Sequence, residues 1–192
     1  MRGLYNWTLS LAASPRAVPA LAAVSFAESS FFPIPPDVVL VPMALARPRR
    51  AWWYATVCTV ASVLGGIAGY FIGYLLYDTV GAWLIKIYGY SDKVDALREF
   101  YAHWGWAFIL IKGLTPIPFK LVTIVSGLLG YNLPLFILLS LITRGARFFM
   151  VAAAMNAWGD QLRPLIDKHF PLFVGSVLVL AAAGIWVAAK LF

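Results

Sequence analysis

The stretch FFPIPPD, residues 31–37, decides how this chain folds. It lies between PALAAVSFA (19–27) and VVLVPMALA (38–46), two runs apolar enough for a membrane-spanning helix. Proline has no backbone N–H and biases the residue before it away from helix, so Pro33, Pro35 and Pro36 leave carbonyls without helical partners. In lipid each such group costs several kcal/mol, and irregular backbone survives only against protein or a water-filled cavity. Each limb is also short for a crossing, which takes about 20 residues. A re-entrant hairpin over 18–46, with its tip inside the protein, satisfies both constraints. A single kinked span through the break is the rival arrangement.

The rest of the composition supports a membrane setting. Of 192 residues 62% are hydrophobic and 12% charged, and mean hydropathy is +0.82, which places the chain in the membrane class. The net charge of +7 is not a nucleic-acid signature, because no basic run exceeds RPRR at 47–50. Isolated cations beside apolar stretches are topology signals. Cys58 is the only cysteine, which excludes an intramolecular disulfide and a cysteine metal site. Residues 1–17, MRGLYNWTLSLAASPRA, read as an interfacial amphipathic helix anchored by Tyr5 and Trp7, and less well as a cleaved signal peptide.

PIPPD at 33–37 returns as PIPFK at 116–120, displaced by 83 residues. A charged residue precedes each copy (Glu28, Lys112), and a short apolar limb and then a long apolar helix follow. The chain therefore divides into repeat 1 over 18–77 (hairpin 18–46, spanning helix 51–77) and repeat 2 over 105–159 (hairpin 105–131, spanning helix 133–159). An amphipathic segment, 78–104, joins them, and residues 160–192 form a loop and a last spanning helix. One spanning helix per unit inverts the second copy, the plan of many secondary transporters. With the amino terminus cytoplasmic, seven cations (Arg2, Arg16, Arg47, Arg49, Arg50, Arg163, Lys168) lie inside and four (Lys86, Lys93, Arg98, Lys190) outside. The expected fold is an all-α integral membrane protein built as an inverted repeat of re-entrant hairpin plus transmembrane helix, with an extra C-terminal transmembrane helix.

Six ionisable residues fall inside apolar segments: Glu28, Asp37, Lys112, Lys120, Arg144 and Arg147. A charge at the centre of a span costs about 2.5–3.5 kcal/mol, so such residues need a partner or a function. Two acids against four bases leave an excess of two positive charges, which asks for an anion; phosphate suits the forked donors of arginine. Arg144 and Arg147, three apart, share a helix face. Snorkelling of Lys112 and Lys120, and a purely structural ion pair from Glu28, are the plainer readings. On helix 51–77, Ala61, Gly65, Gly69 and Gly73 recur every fourth residue, a stripe that lets another backbone approach closely. The two histidines, His103 and His169, lie away from both proline breaks, which weakens a reading as a lipid-phosphate enzyme; a non-transporting scaffold for envelope assembly is a further alternative.

Taken in order, FAESSFFPIPPDVVLVPMAL, GGIAGYFIGY, KGLTPIPFKLVTIVSGLLGYN and the RGAR helix resemble the DedA family, also called the VTT or SNARE-associated Golgi protein family, over about residues 20–160. Lys112, Pro118 and Lys120 stand where many members carry arginine and a Pro-Gly element, as in a divergent bacterial subgroup. The resemblance implies opposed re-entrant hairpins in a bacterial inner membrane and movement of phospholipid or polyprenyl phosphate, coupled to protons. Glu28 matches the acid before the first tip and Asp37 the acid after it, both implied in proton coupling. Arg144 fits the arginine after the second hairpin, with Arg147 beside it. The expected site is thus Arg144, Arg147, Lys112 and Lys120 for an anionic phosphate head group, between hairpin tips formed by Pro33, Pro35, Pro36, Pro116 and Pro118. No catalytic residue, metal or cofactor is expected and nucleic acid is not a partner; a homo-oligomer stays open.

Overall fold

The computed structural model describes residues 14, 16–31, 35–77, 91–114, 119–159 and 161, with backbone only for 91–95 and 112–114. The expected N-terminal interfacial helix, the stretch 78–90, nearly all of 160–192, and Pro33, Pro116 and Pro118 lie outside the described residues. All regular structure among the described residues is helical: α1 (Ala17–Ser30), α2 (Asp37–Ala46), a 3-10 turn (Pro48–Arg50), α3 (Ala51–Leu76), α4 (Ser91–Leu114), α5 (Phe119–Leu128) and α6 (Leu133–Gly159). Two helical stretches, Pro48–Leu76 and Leu133–Gly159, are long and apolar enough to cross a membrane.

The first proline break ends in a helix start. Pro36, at φ −65°, precedes α2, and its carbonyl accepts the N–H groups of Val39 (3.0 Å) and Leu40 (2.8 Å). Proline's fixed φ suits such a start, where its missing N–H has no partner to lose. The chain leaves α5 through Gly130, at φ +68°, where an L side chain would be strained. Tyr131 N–H reaches back to Ser126 C=O (2.9 Å) and Gly130 N–H to Gly127 C=O (3.0 Å), the paired bonds of a Schellman ending. Asn132 then caps α6, its Oδ1 accepting the Leu135 N–H at 2.9 Å.

α3 and α6 run antiparallel: Trp52 meets Phe149 (centroids 5.8 Å apart) near one end, and Tyr70 meets Phe136 (5.5 Å) toward the other. One apolar core lies at the α3 start, where Ala17 and Leu21 of α1 and Leu40 to Leu45 of α2 pack on Tyr54, Ala55 and Cys58, with Phe148 and Ala152 of α6. The second lies around Tyr70, where Tyr101 and Ile109 of α4 and Phe119 and Val122 of α5 meet Phe136 and Leu139. The inner face of α1 is apolar at Ala17 and Leu21 and becomes polar at Ser25, Glu28 and Ser29. That gradient carries α1 from the outer core to a polar centre.

Glycine sets the spacing. A Cβ at Gly65 would collide with the Phe26 carbonyl of α1, and one at Gly73 with the Ile124 carbonyl of α5; α5 answers with Gly127 against the Tyr70 carbonyl. The stripe on α3 is the contact for a helix from each half of the chain. α4 differs from the sequence expectation in running without a break through 104/105, so the connecting segment and the first limb of the second hairpin are one helix. Gly105 sits there for packing: a Cβ would come within 2.7 Å of the Tyr131 ring. Nearby, Ser126 donates to the Val122 carbonyl (2.7 Å), so Tyr101 must donate to Ser126 Oγ (2.9 Å); burial pushes the Tyr101 phenol up and keeps that donor protonated.

Candidate functional site

Ser62 and Arg144 are each the twelfth residue of their helix, so at 1.5 Å per residue both lie about 17 Å from its start. A hydrocarbon core is about 30 Å thick, so this is the depth of a midplane for a helix that crosses it. α1 ends at this level, with Ser29 against Ser62, and α5 begins at it, with Phe119 beside Arg144.

Arg144 is 1% exposed and fully engaged on two sides. Its Nη2 donates to Glu28 Oε2 at 2.6 Å and its Nε to Ser62 Oγ at 2.6 Å. Arginine only donates. Ser62 must therefore spend its own proton elsewhere, and Ser29 Oγ lies 2.6 Å away; Ser29 in turn donates to Glu28 Oε2 at 3.2 Å. The bonds close a ring, Arg144 to Ser62 to Ser29 to Glu28 and back. The second Glu28 oxygen accepts the Phe119 N–H at 3.3 Å, tying the last turn of α1 to the first of α5. The guanidinium carbon sits 4.9 Å from the Phe119 ring centroid and 4.8 Å from that of Phe148, a position favourable for a cation between aromatic rings.

One helical turn on, Arg147 Nη2 donates to Asp37 Oδ2 at 2.5 Å. This pair is more open: the side chains are 24% and 11% exposed, against 1% and 9% for Arg144 and Glu28. Asp37 opens α2; its carboxylate turns to α6, and among the described residues its buried Oδ1 has no partner. Glu28 and Asp37 thus each meet an arginine of α6. Of the four cations counted in the apolar segments, Arg144 and Arg147 are paired. Lys120, the second residue of α5, is half-buried and makes no ion pair among the described residues; the side chain of Lys112 lies outside them. Pro35 and Pro36 border the site at the head of α2.

Ser29, Ser62, Phe119 and Phe148 complete the arrangement, and sequence reading passed over them. The signal was present for Ser62, which shares the α3 face of Gly65 and Gly69, three and seven residues on. His103 is exposed on α4, its Nδ1 2.9 Å from the Glu99 carbonyl oxygen. Among the described residues no three His, Cys, Asp or Glu gather where a metal could bind.

Two helices of spanning length, one of them carrying two ion pairs near its middle and the other a serine bonded to the more buried pair, fit the class of helical membrane proteins. The VTT domain model matches residues 32–157, and the chain belongs to this family, the DedA family, whose members are membrane-associated. The chain is 34% identical over 185 residues to a protein of Haemophilus influenzae, covering 96% of this chain and 95% of that one. It is 33% identical over 187 residues to a protein of Histophilus somni, covering 97% of each. Both are described only as uncharacterized. No solved structure matches.

Proposed function

We propose that the chain is a multi-pass protein of the bacterial inner membrane that moves a phosphate-bearing lipid, a phospholipid or polyprenyl phosphate, between leaflets as a flippase or scramblase. The observation that carries the reading is that α1 ends and α2 and α5 begin at two ion pairs midway along α6, beside Ser62 midway along α3. In this reading α1 with α2, and the end of α4 with α5, are re-entrant hairpins, each returning to the side it entered. Support comes from the outer ends of the first: Ala17 and Leu45 belong to one core at the start of α3, while Ser29 and Asp37 lie deep.

The chemistry is recognition without covalent change. Arg144 is closed off by Glu28, Ser62 and two phenyl rings, so a head group first meets Lys120 and the half-open Arg147. Arg144 becomes available when Phe119 withdraws and releases Glu28. Glu28 and Asp37 are the groups through which protons couple to that movement, because each loses its arginine when an anion competes for it. The test is bleaching of a fluorescent phospholipid by a membrane-impermeant reductant in proteoliposomes. Wild type bleaches beyond the outer-leaflet fraction, and Lys120→Gln or Arg147→Gln slows this by about tenfold, the worth of one charged hydrogen bond. Wild-type vesicles that behave as protein-free ones, or phosphate release by the purified protein, would overturn the reading.

A further inference from the structure

We propose that the turn Arg49–Arg50 and the indoles that follow it form a binding surface for the head groups of anionic phospholipids, held at one end of the bundle and independent of transport. Pro48 opens the 3-10 turn, and Arg50 N–H closes it on the Arg47 carbonyl at 2.9 Å. Arg49 and Arg50 are both exposed on this short, closed turn. Trp52 and Trp53 come next, 44% and 56% exposed, and Trp52 is held in place by Phe149. Because α6 runs antiparallel to α3, its last turn lies at the same end: Gly159 packs against Leu45, and Trp158 is 57% exposed.

Charge complementarity names the occupant. The first turn of α3 holds no acidic residue, and its N-cap, Arg50, makes no side-chain cap. The partial positive charge of a helix start therefore adds to the guanidinium groups instead of being offset. Topology alone needs cations near the end of a span; it does not need two of them fixed on a closed turn beside exposed indoles. Guanidinium forks match phosphate oxygens, and indoles settle at the head-group level below. The partner is an anionic leaflet surface.

The experiment is native mass spectrometry of the full chain in detergent, titrated with phosphatidylglycerol or phosphatidylcholine. Wild type retains phosphatidylglycerol preferentially, and Arg49→Gln with Arg50→Gln lowers that retention by about thirtyfold, the worth of two cations at an anionic surface, leaving phosphatidylcholine unchanged. Trp53→Ala, which keeps every charge, lowers it by about threefold while the melting temperature stays at wild type, separating binding from folding. Equal retention of the two lipids by wild type overturns the proposal. So does an equal loss on Arg16→Gln, which would mean a diffuse field, or full displacement by inorganic phosphate, which would mean a free-anion site.

Discussion

α3 and α6 occupy corresponding places in the two halves, yet they bring opposite chemistry to their meeting. Displaced by 83 residues, Ala61, Gly65, Gly69 and Gly73 of α3 correspond to Arg144, Phe148, Ala152 and Asn156 of α6. The first helix has given up side chains so that α1 and α5 can press their backbones onto it. The second fills the same register with a cation and the ring that shelters it. A repeated backbone plan thus carries a division of labour: one helix fixes distance, the other supplies charge. The short helices divide similarly, since Asp37 at the head of α2 corresponds to Lys120 near the head of α5.

Three substitutions separate what α3 and α6 contribute. Arg144→Ala leaves Glu28 buried and unpaired and should cost about 3–5 kcal/mol in detergent unfolding, while the neutral pair Glu28→Gln with Arg144→Gln should cost less than Arg144→Ala alone. Equal losses would mean that charge is not what α6 contributes. Gly65→Val drives a side chain into the Phe26 carbonyl and should cost about 1–3 kcal/mol or more, read as a lowered midpoint in the same unfolding series. A neutral result would remove the distance-setting role of α3. Gly145→Ala on α6 sharpens the contrast, because the nearest atom to a new Cβ is Thr59 Cγ2 at 3.8 Å. Ordinary contact and better helix propensity should leave stability unchanged or raise it by up to about 1 kcal/mol.

Much of this was legible along the chain, because periodicity and helix breakage are local properties. The proline clusters, the 83-residue displacement, the long apolar runs and the glycine stripe all follow from spacing and residue type. Which acid meets which arginine was not legible, since Glu28 and Arg144 stand 116 positions apart and their meeting depends on how helices cross. The same holds for Phe119, whose ring covers Arg144 only because α5 begins beside the end of α1. At 104/105 the charged and apolar stretches change over, which reads as a boundary. Helical hydrogen bonding does not respond to that change, and α4 continues through it.

The order of the ion-pair partners along the chain bears on biosynthesis. Glu28 and Asp37 precede Arg144 and Arg147 by 116 and 110 positions. If the chain enters a bilayer as it is made, Glu28 and Asp37 would arrive before the arginines that pair with them are translated. A charge deep in lipid costs about 2.5–3.5 kcal/mol, so the order of the partners would leave each carboxylate to be neutralised by a proton until its arginine arrives.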